Sequence, residues 1–258
     1  MGPEDACELG SRPPRLRFTA SSKDNVDYDE RLHACKRTRL LPTSHAAIRS
    51  LFLDGPSGQL EALLNLGDAH ATHAGLVCHP HPMFGGTMHN KVVFHAMKAL
   101  HSFGFPVLRF NFRGTGLSAG KHDGREETAD VTAALQWLKR EFSLPVIFAG
   151  FSFGAARGLR ACCPEPQVPL LISLGTPVEA EGRLYSYKFL QTCNKPKLFL
   201  SGDHDPFGPH DALEQVVASA ADPKELVFIP GDHFFEGHLK EMRLTVESWV
   251  QEQLTPQT

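Results

Sequence analysis

From Ala46 onward, short apolar runs alternate with longer amphipathic stretches, each bounded by glycine, proline or charged residues. Residues 48–53 and 59–64 flank the turn-rich Asp54-Gly55-Pro56-Ser57-Gly58, so the segment predicts a β-hairpin. Ala74-Gly75-Leu76-Val77-Cys78 predicts a buried strand, running into His79-Pro80-His81-Pro82-Met83-Phe84-Gly85-Gly86. Residues 90–102 have helical periodicity and are closed by Gly104. A strand over 106–112 ends in Arg113-Gly114-Thr115-Gly116-Leu117-Ser118, and 126–142 puts Val131, Leu135 and Leu138 on one face of a helix. Further strands are predicted at 145–149, 170–174, 197–201 and 225–229, with helices after Ser152, at 212–220 and at 239–253. Strands and helices alternating after an opening hairpin predict a mostly parallel twisted sheet with helices on both faces. The loops at the carboxyl ends of its strands then carry the chemistry. Between residues 174 and 197 only Tyr185, Tyr187 and Phe189 are bulky, which leaves no room for a sizeable lid domain and predicts an open site.

Residues 1–43 lack any sustained period and are rich in Gly, Pro, Ser, Arg and Asp. They read as a poorly ordered N-terminal extension, with the folded domain over 44–258. Glu4, Asp5 and Glu8 interrupt any signal-peptide core, and Asp24, Asp27, Asp29 and Glu30 oppose a transit peptide. The chain has 258 residues, 41% of them hydrophobic and 21% charged, with a net charge of −3. That size suits one α/β domain, and the balance lacks the basic excess of a nucleic-acid or membrane-surface binder. No apolar run is long enough to span a bilayer. Cys7, Cys35, Cys78, Cys162, Cys163 and Cys193 show no CxxC and no regular spacing, which predicts reduced thiols and a cytoplasmic protein. The vicinal Cys162-Cys163 read as packing residues.

The chemistry centres on Gly150-Phe151-Ser152-Phe153-Gly154, placed between the strand at 145–149 and a small-residue helix. A serine between two glycines at a strand-to-helix turn is the nucleophile elbow of the α/β-hydrolases. Such a serine needs a base, and the base needs a third group to hold it. In this fold they follow in the order Ser, acid, His. Strand 197–201 ends in Gly202-Asp203-His204-Asp205-Pro206, and strand 225–229 in Pro230-Gly231-Asp232-His233-Phe234-Phe235. The base is therefore His233, in preference to His204, His210 or His238. The acid is Asp205, three residues past Gly202, with Asp203 as the alternative and Asp232 as a turn residue. The oxyanion donors are the backbone N–H of Phe153 and one from the loop after Cys78. Pro80 and Pro82 have no N–H, so His81 leads, with Met83 and Phe84 behind it.

Two competing motifs carry less. His79-x-His81 is a possible metal pair, but its alternating prolines favour a rigid loop. The segment 109–118 lacks the lysine and spacing of a P-loop, so its glycines are expected to turn the chain while Asn111 and Arg113 bond backbone. No metal or cofactor is expected.

With those residues laid out, the chain resembles the small, lidless, dienelactone-hydrolase-like α/β-hydrolases. The likeness rests on His79 to Gly86 followed by Thr87, Met88, Asn90 and Lys91; on Arg109-Phe110-Asn111-Phe112-Arg113-Gly114; on Gly150 to Gly154; and on Asp232-His233-Phe234-Phe235. It implies an α/β-hydrolase fold and a Ser152, Asp205, His233 triad. Dienelactone hydrolases use a cysteine nucleophile, so Ser152 points instead to ester chemistry. The N-terminal extension departs from the family pattern. The final loop does too, being one residue short, which would displace the histidine slightly. The expectation is a serine hydrolase cleaving a small-molecule carboxylic ester or related acyl bond. The rival is a catalytically silent scaffold that binds a ligand or a protein. Phe84, Phe151, Phe153, Phe234 and Phe235 suggest an apolar mouth, with some of them available to the core. Substrate identity and oligomeric state are not encoded in any of these motifs.

Overall fold

The computed structural model describes residues 48–180 and 182–255; the predicted extension over 1–43 lies outside the described residues. The opening hairpin is β1 (Ile48–Gly55) and β2 (Gly58–Asn65). Then come β3 (Ala74–Cys78), α1 (Lys91–His101), β4 (Val107–Phe110), α2 (Glu127–Phe142), β5 (Val146–Phe151) and α3 (Phe153–Cys162). After β6 (Leu171–Leu174), a two-stranded hairpin of β7 (Glu179–Ala180) and β8 (Arg183–Leu184) and a 3-10 turn over Lys188–Thr192 precede β9 (Lys197–Gly202). The chain closes with α4 (His210–Ser219), β10 (Lys224–Ile229) and α5 (Leu239–Leu254).

The main sheet has the order β1-β2-β4-β3-β5-β6-β9-β10. The pairs β1–β2 and β2–β4 are antiparallel, and every other pair is parallel. Period-two alternation divides the strands between two cores. On β5, Val146 and Phe148 face one core while Ile147, Ala149 and Phe151 face the other. The first core is closed by α2, α3 and α4 through residues such as Leu135, Leu159 and Leu213. The second is closed by α1 and α5 through Val93, Leu100, Met242 and Trp249. Burial of both faces explains why the central strands read as unbroken apolar runs.

The periodicity missed the short 3-10 turns over Pro82–Phe84 and Lys188–Thr192, and the hairpin β7–β8, since two-residue strands have no period to detect. The hairpin is far smaller than a lid domain, so the predicted lidless architecture stands. The thiol expectation needs correction. Cys163 and Cys193 form a disulfide with Cα atoms 5.9 Å apart, tying the end of α3 to the end of the 3-10 turn. Sequence gave no hint because the partners lie 30 residues apart and meet only through packing of α3 on that turn. Cys78 and Cys162 are free and buried. No helix among the described residues is long and apolar enough to cross a membrane.

Candidate active site

Ser152 is the single residue between the end of β5 and the start of α3. Its φ of 55° and ψ of −121° lie where residues with a side chain rarely sit, at a cost of about 1–3 kcal/mol. The strain is held by its neighbours. Ser152 N–H donates to the Leu174 carbonyl on the adjacent strand (2.9 Å), and Ala156 N–H donates to the Ser152 carbonyl (3.1 Å). The flanking glycines answer to space. A Cβ at Gly150 would lie 2.7 Å from the Ala155 backbone, and one at Gly154 would lie 2.4 Å from the His79 carbonyl oxygen. The serine hydroxyl thus stands at the positive end of α3, where the N–H of Phe153, in the first helical position, has no intrahelical acceptor.

The structure brings Ser152, His233 and Asp205 together. His233 Nε2 is 2.9 Å from Ser152 Oγ, and His233 Nδ1 is 2.7 Å from Asp205 Oδ2. Asp205 follows β9 and is buried. Ser201 Oγ also donates to its Oδ2 (3.1 Å), and the N–H groups of Phe207 and Gly208 donate to its Oδ1 (2.9 and 3.4 Å). A carboxylate held by so many donors has little freedom to rotate away from the imidazole. His233 is only 4% exposed. The rings of Phe151, Phe207 and Phe234 enclose it at centroid distances of 4.9, 4.7 and 5.3 Å. The network assigns its proton to Nδ1, leaving Nε2 to accept from the serine. The displacement expected of this histidine has not taken it out of reach of Ser152.

The alternatives fall elsewhere. Asp203 is in a turn, accepting from Gly231 N–H (3.0 Å) and pairing with His204 Nδ1 (2.5 Å). Asp232 caps its own loop, accepting from the N–H groups of Phe234 and Glu236 (2.9 and 3.1 Å). His210 stacks on Phe228 and His238 pairs with Glu241.

The loop after β3 is rigid, as its prolines suggest. His81 caps a 3-10 turn over Pro82–Phe84: its Nδ1 accepts from Met83 N–H (3.2 Å), and its carbonyl accepts from Phe84 N–H (3.2 Å). Both fallback oxyanion donors are therefore engaged inside the turn. His79 is wholly buried. Phe112 N–H donates to its Nε2 (3.0 Å), and its Nδ1 donates to the Pro80 carbonyl (2.7 Å). With both nitrogens taken, His79 braces the loop rather than pairing with His81 as a metal ligand.

Burial pushes the His79 pKa down to about 3 from its usual 6.5. The folded state therefore binds fewer protons than the unfolded state between those values, and stability falls as pH drops through that window. Urea unfolding at pH 7 and pH 5 should show a loss of about 2 kcal/mol from this histidine alone. Its ring resonances should not titrate above pH 5 in the folded protein, and a normal titration there would refute the assignment.

The segment 109–118 is structural. Arg109 Nη1 donates to the Met88 carbonyl (3.1 Å), and Asn111 Oδ1 accepts from Met88 N–H (2.8 Å), so both brace the loop that precedes α1. Arg113 departs from expectation. It bonds no backbone carbonyl but forms a buried ion pair with Asp130 of α2 (2.7 Å), because the helix presents a carboxylate directly beneath it.

A cavity of about 190 Å³ opens over Ser152 and His233. Phe84, Phe207 and Phe234 line it, together with Ala180 and Tyr185 of the small hairpin region. Of the five phenylalanines proposed for an apolar mouth, Phe84, Phe234 and the buried Phe153 line the cavity; Phe151 and Phe235 are buried beneath it. Tyr185 and Phe207 were not singled out as site residues from sequence. Tyr185 was visible only as one bulky residue among three in the short connection.

A lidless, mostly parallel sheet with a serine at a strained strand-to-helix turn defines an α/β-hydrolase. The family described as "Alpha/beta hydrolase domain" matches residues 76–255, and the chain belongs to it. An uncharacterized protein of Rickettsia prowazekii is 32% identical over 209 residues, which cover 78% of this chain and 87% of that protein. Among solved structures, an alpha-beta serine hydrolase homologue from Coxiella burnetii is 37% identical with a TM-score of 0.71, covering 78% of this chain and 96% of that one. A Xanthomonas campestris protein described as an a/b serine hydrolase without lid is 32% identical with a TM-score of 0.72, covering 85% of this chain and 99% of that one.

Proposed function

We propose that the protein is a serine hydrolase that cleaves a carboxylic ester or related acyl bond, with Ser152 as nucleophile, His233 as base and Asp205 as the group that holds it. One observation carries the reading: an unbroken chain of contacts from Ser152 Oγ to His233 Nε2 (2.9 Å) and from His233 Nδ1 to Asp205 Oδ2 (2.7 Å). That spacing is within reach for direct proton transfer.

In the acylation step Ser152 Oγ bonds to the carbonyl carbon while its proton passes to His233 Nε2. The carbonyl electron pair moves onto oxygen, where the N–H groups of Phe153 and His81 stabilise it. Collapse breaks the acyl–oxygen bond, and His233 returns the proton to the departing alkoxide. Water then repeats the sequence: His233 takes its proton, the hydroxide adds to the acyl carbon, and the Ser152 oxygen leaves and is reprotonated. Asp205 stays ionised throughout and stabilises the imidazolium. The apolar cavity walls of Phe84, Phe207 and Phe234 suit the acyl chain or an aromatic alcohol. The chemistry needs no metal or cofactor.

A fluorophosphonate probe tests this directly. Wild type should label stoichiometrically on Ser152, and His233→Ala should not label, since the hydroxyl loses its base. A folded wild type that resists the probe would sink the reading and favour a silent scaffold.

A further inference from the structure

Beside the Ser152 cavity lies a second, larger one of about 460 Å³, and Tyr185 lines both. Its wall carries Arg125, Arg157 and Arg160, the last two on α3, the helix that starts at the nucleophile. Among the described residues none of these arginines has a carboxylate within ion-pair distance. The nearby Glu127 carboxylate makes its contacts through Oε1, to His122 (2.6 Å) and the N–H groups of Asp123 and Gly124, while its Oε2 is buried with no hydrogen-bond partner. Arg157 lies over the rings of Phe153 and Tyr185 at 5.3 and 5.8 Å, and its Nε is buried with no hydrogen-bond partner. Burial lowers its pKa; Tyr185, Glu127 and Tyr187 favour its charge, while neighbouring Arg160 repels it, a repulsion that an anion in the cavity would relieve. Arg160 donates to the Ser186 carbonyl (3.2 Å), which leaves most of its fork open to a ligand. At a rise of 1.5 Å per residue, these two arginines stand roughly 8–12 Å along α3 from Ser152.

We propose that this cavity is an oxyanion-binding subsite and that the substrates are esters bearing a carboxylate or phosphate on the end remote from the scissile bond. The inference rests on the serine-hydrolase reading for its catalytic meaning, but not for the binding itself. Arginine forks match both anions bidentately, so the chemistry is shared and the probes must separate them.

Calorimetry on wild type and on Ser152→Ala, with suberate and separately with inorganic phosphate, measures binding without turnover. The two proteins should bind one of these anions alike. Arg157→Gln should weaken it by about tenfold or more, the loss of a charge-assisted bond. Arg125→Gln is the second variant, chosen because Arg125 is exposed; it should weaken binding by less, and raised salt should weaken it throughout. Preference for suberate assigns a carboxylate, and preference for phosphate a phosphoryl group. In turnover, the kcat/KM ratio of a carboxylate-capped over an amide-capped p-nitrophenyl ester should exceed one and fall in Arg157→Gln. Absence of binding by both anions, or affinities unchanged in both variants, would overturn the subsite. Failure of fluorophosphonate labelling with anion binding intact would overturn only the hydrolase reading.

Discussion

Replacing Ser152 with alanine should lower kcat on any accepted ester by about 10⁶-fold, the loss seen when a triad nucleophile is removed from a comparable hydrolase. The size follows from the geometry. The hydroxyl stands at a turn whose dihedral strain is maintained by bonds to Leu174 and Ala156, so no other side chain can take its position. Any residual rate would come from the oxyanion donors and from binding alone, which do not depend on the hydroxyl. The variant should fold normally, because alanine removes only one part-buried oxygen and tolerates the same backbone as well as serine does. Steady-state kinetics together with a melting curve check both halves. A variant that stays folded and retains more than about one-hundredth of wild-type activity would show that water is activated by another route.

The second large effect concerns the acid. Asp205→Asn should reduce kcat by about 10⁴-fold, with KM little changed. The amide can turn its NH₂ toward His233 Nδ1, which forces the ring proton onto Nε2. The imidazole then meets Ser152 Oγ as a donor when it needs to accept. Asp203→Asn should cost almost nothing, because its remaining Oδ1 can still accept from Gly231 N–H. The pair of variants separates the two carboxylates more cleanly than either does alone. Equal losses in both would mean that the loop after β9 acts as one rigid unit and that neither aspartate has an individual role.

Much of this was legible in the residues. The central strands were clear because burial on both faces makes them continuous apolar runs. Helices α1, α2 and α5 were clear because one face of each is apolar and their ends carry stop signals. The elbow was clear because the close approach of Ala155 and His79 to the backbone leaves glycine as the only fit on either side. What stayed hidden depends on contacts between distant segments. The Cys163–Cys193 bridge, the turn of Arg113 toward Asp130, and the placing of Tyr185 between two cavities all arise from tertiary packing. Phenylalanines could be found in the motifs but not sorted into rim and core, since adjacent residues on a tight turn point in opposite directions. Phe234 is 49% exposed and Phe235 is fully buried.

The hydrogen bond from Ser152 to His233 closes a loop of 81 residues, and β6 and β9 must dock between β5 and β10 before it can form. Contacts of such long sequence separation form late in folding. Strand β5 and helix α3 can be complete while the hydroxyl is still inert. On the ribosome, a nascent chain of this order cannot pair Ser152 with His233 until the residues beyond β10 have emerged and the far edge of the sheet has zipped up. Regain of probe reactivity during refolding would therefore time the last docking event of the molecule, well after its helical signal has recovered.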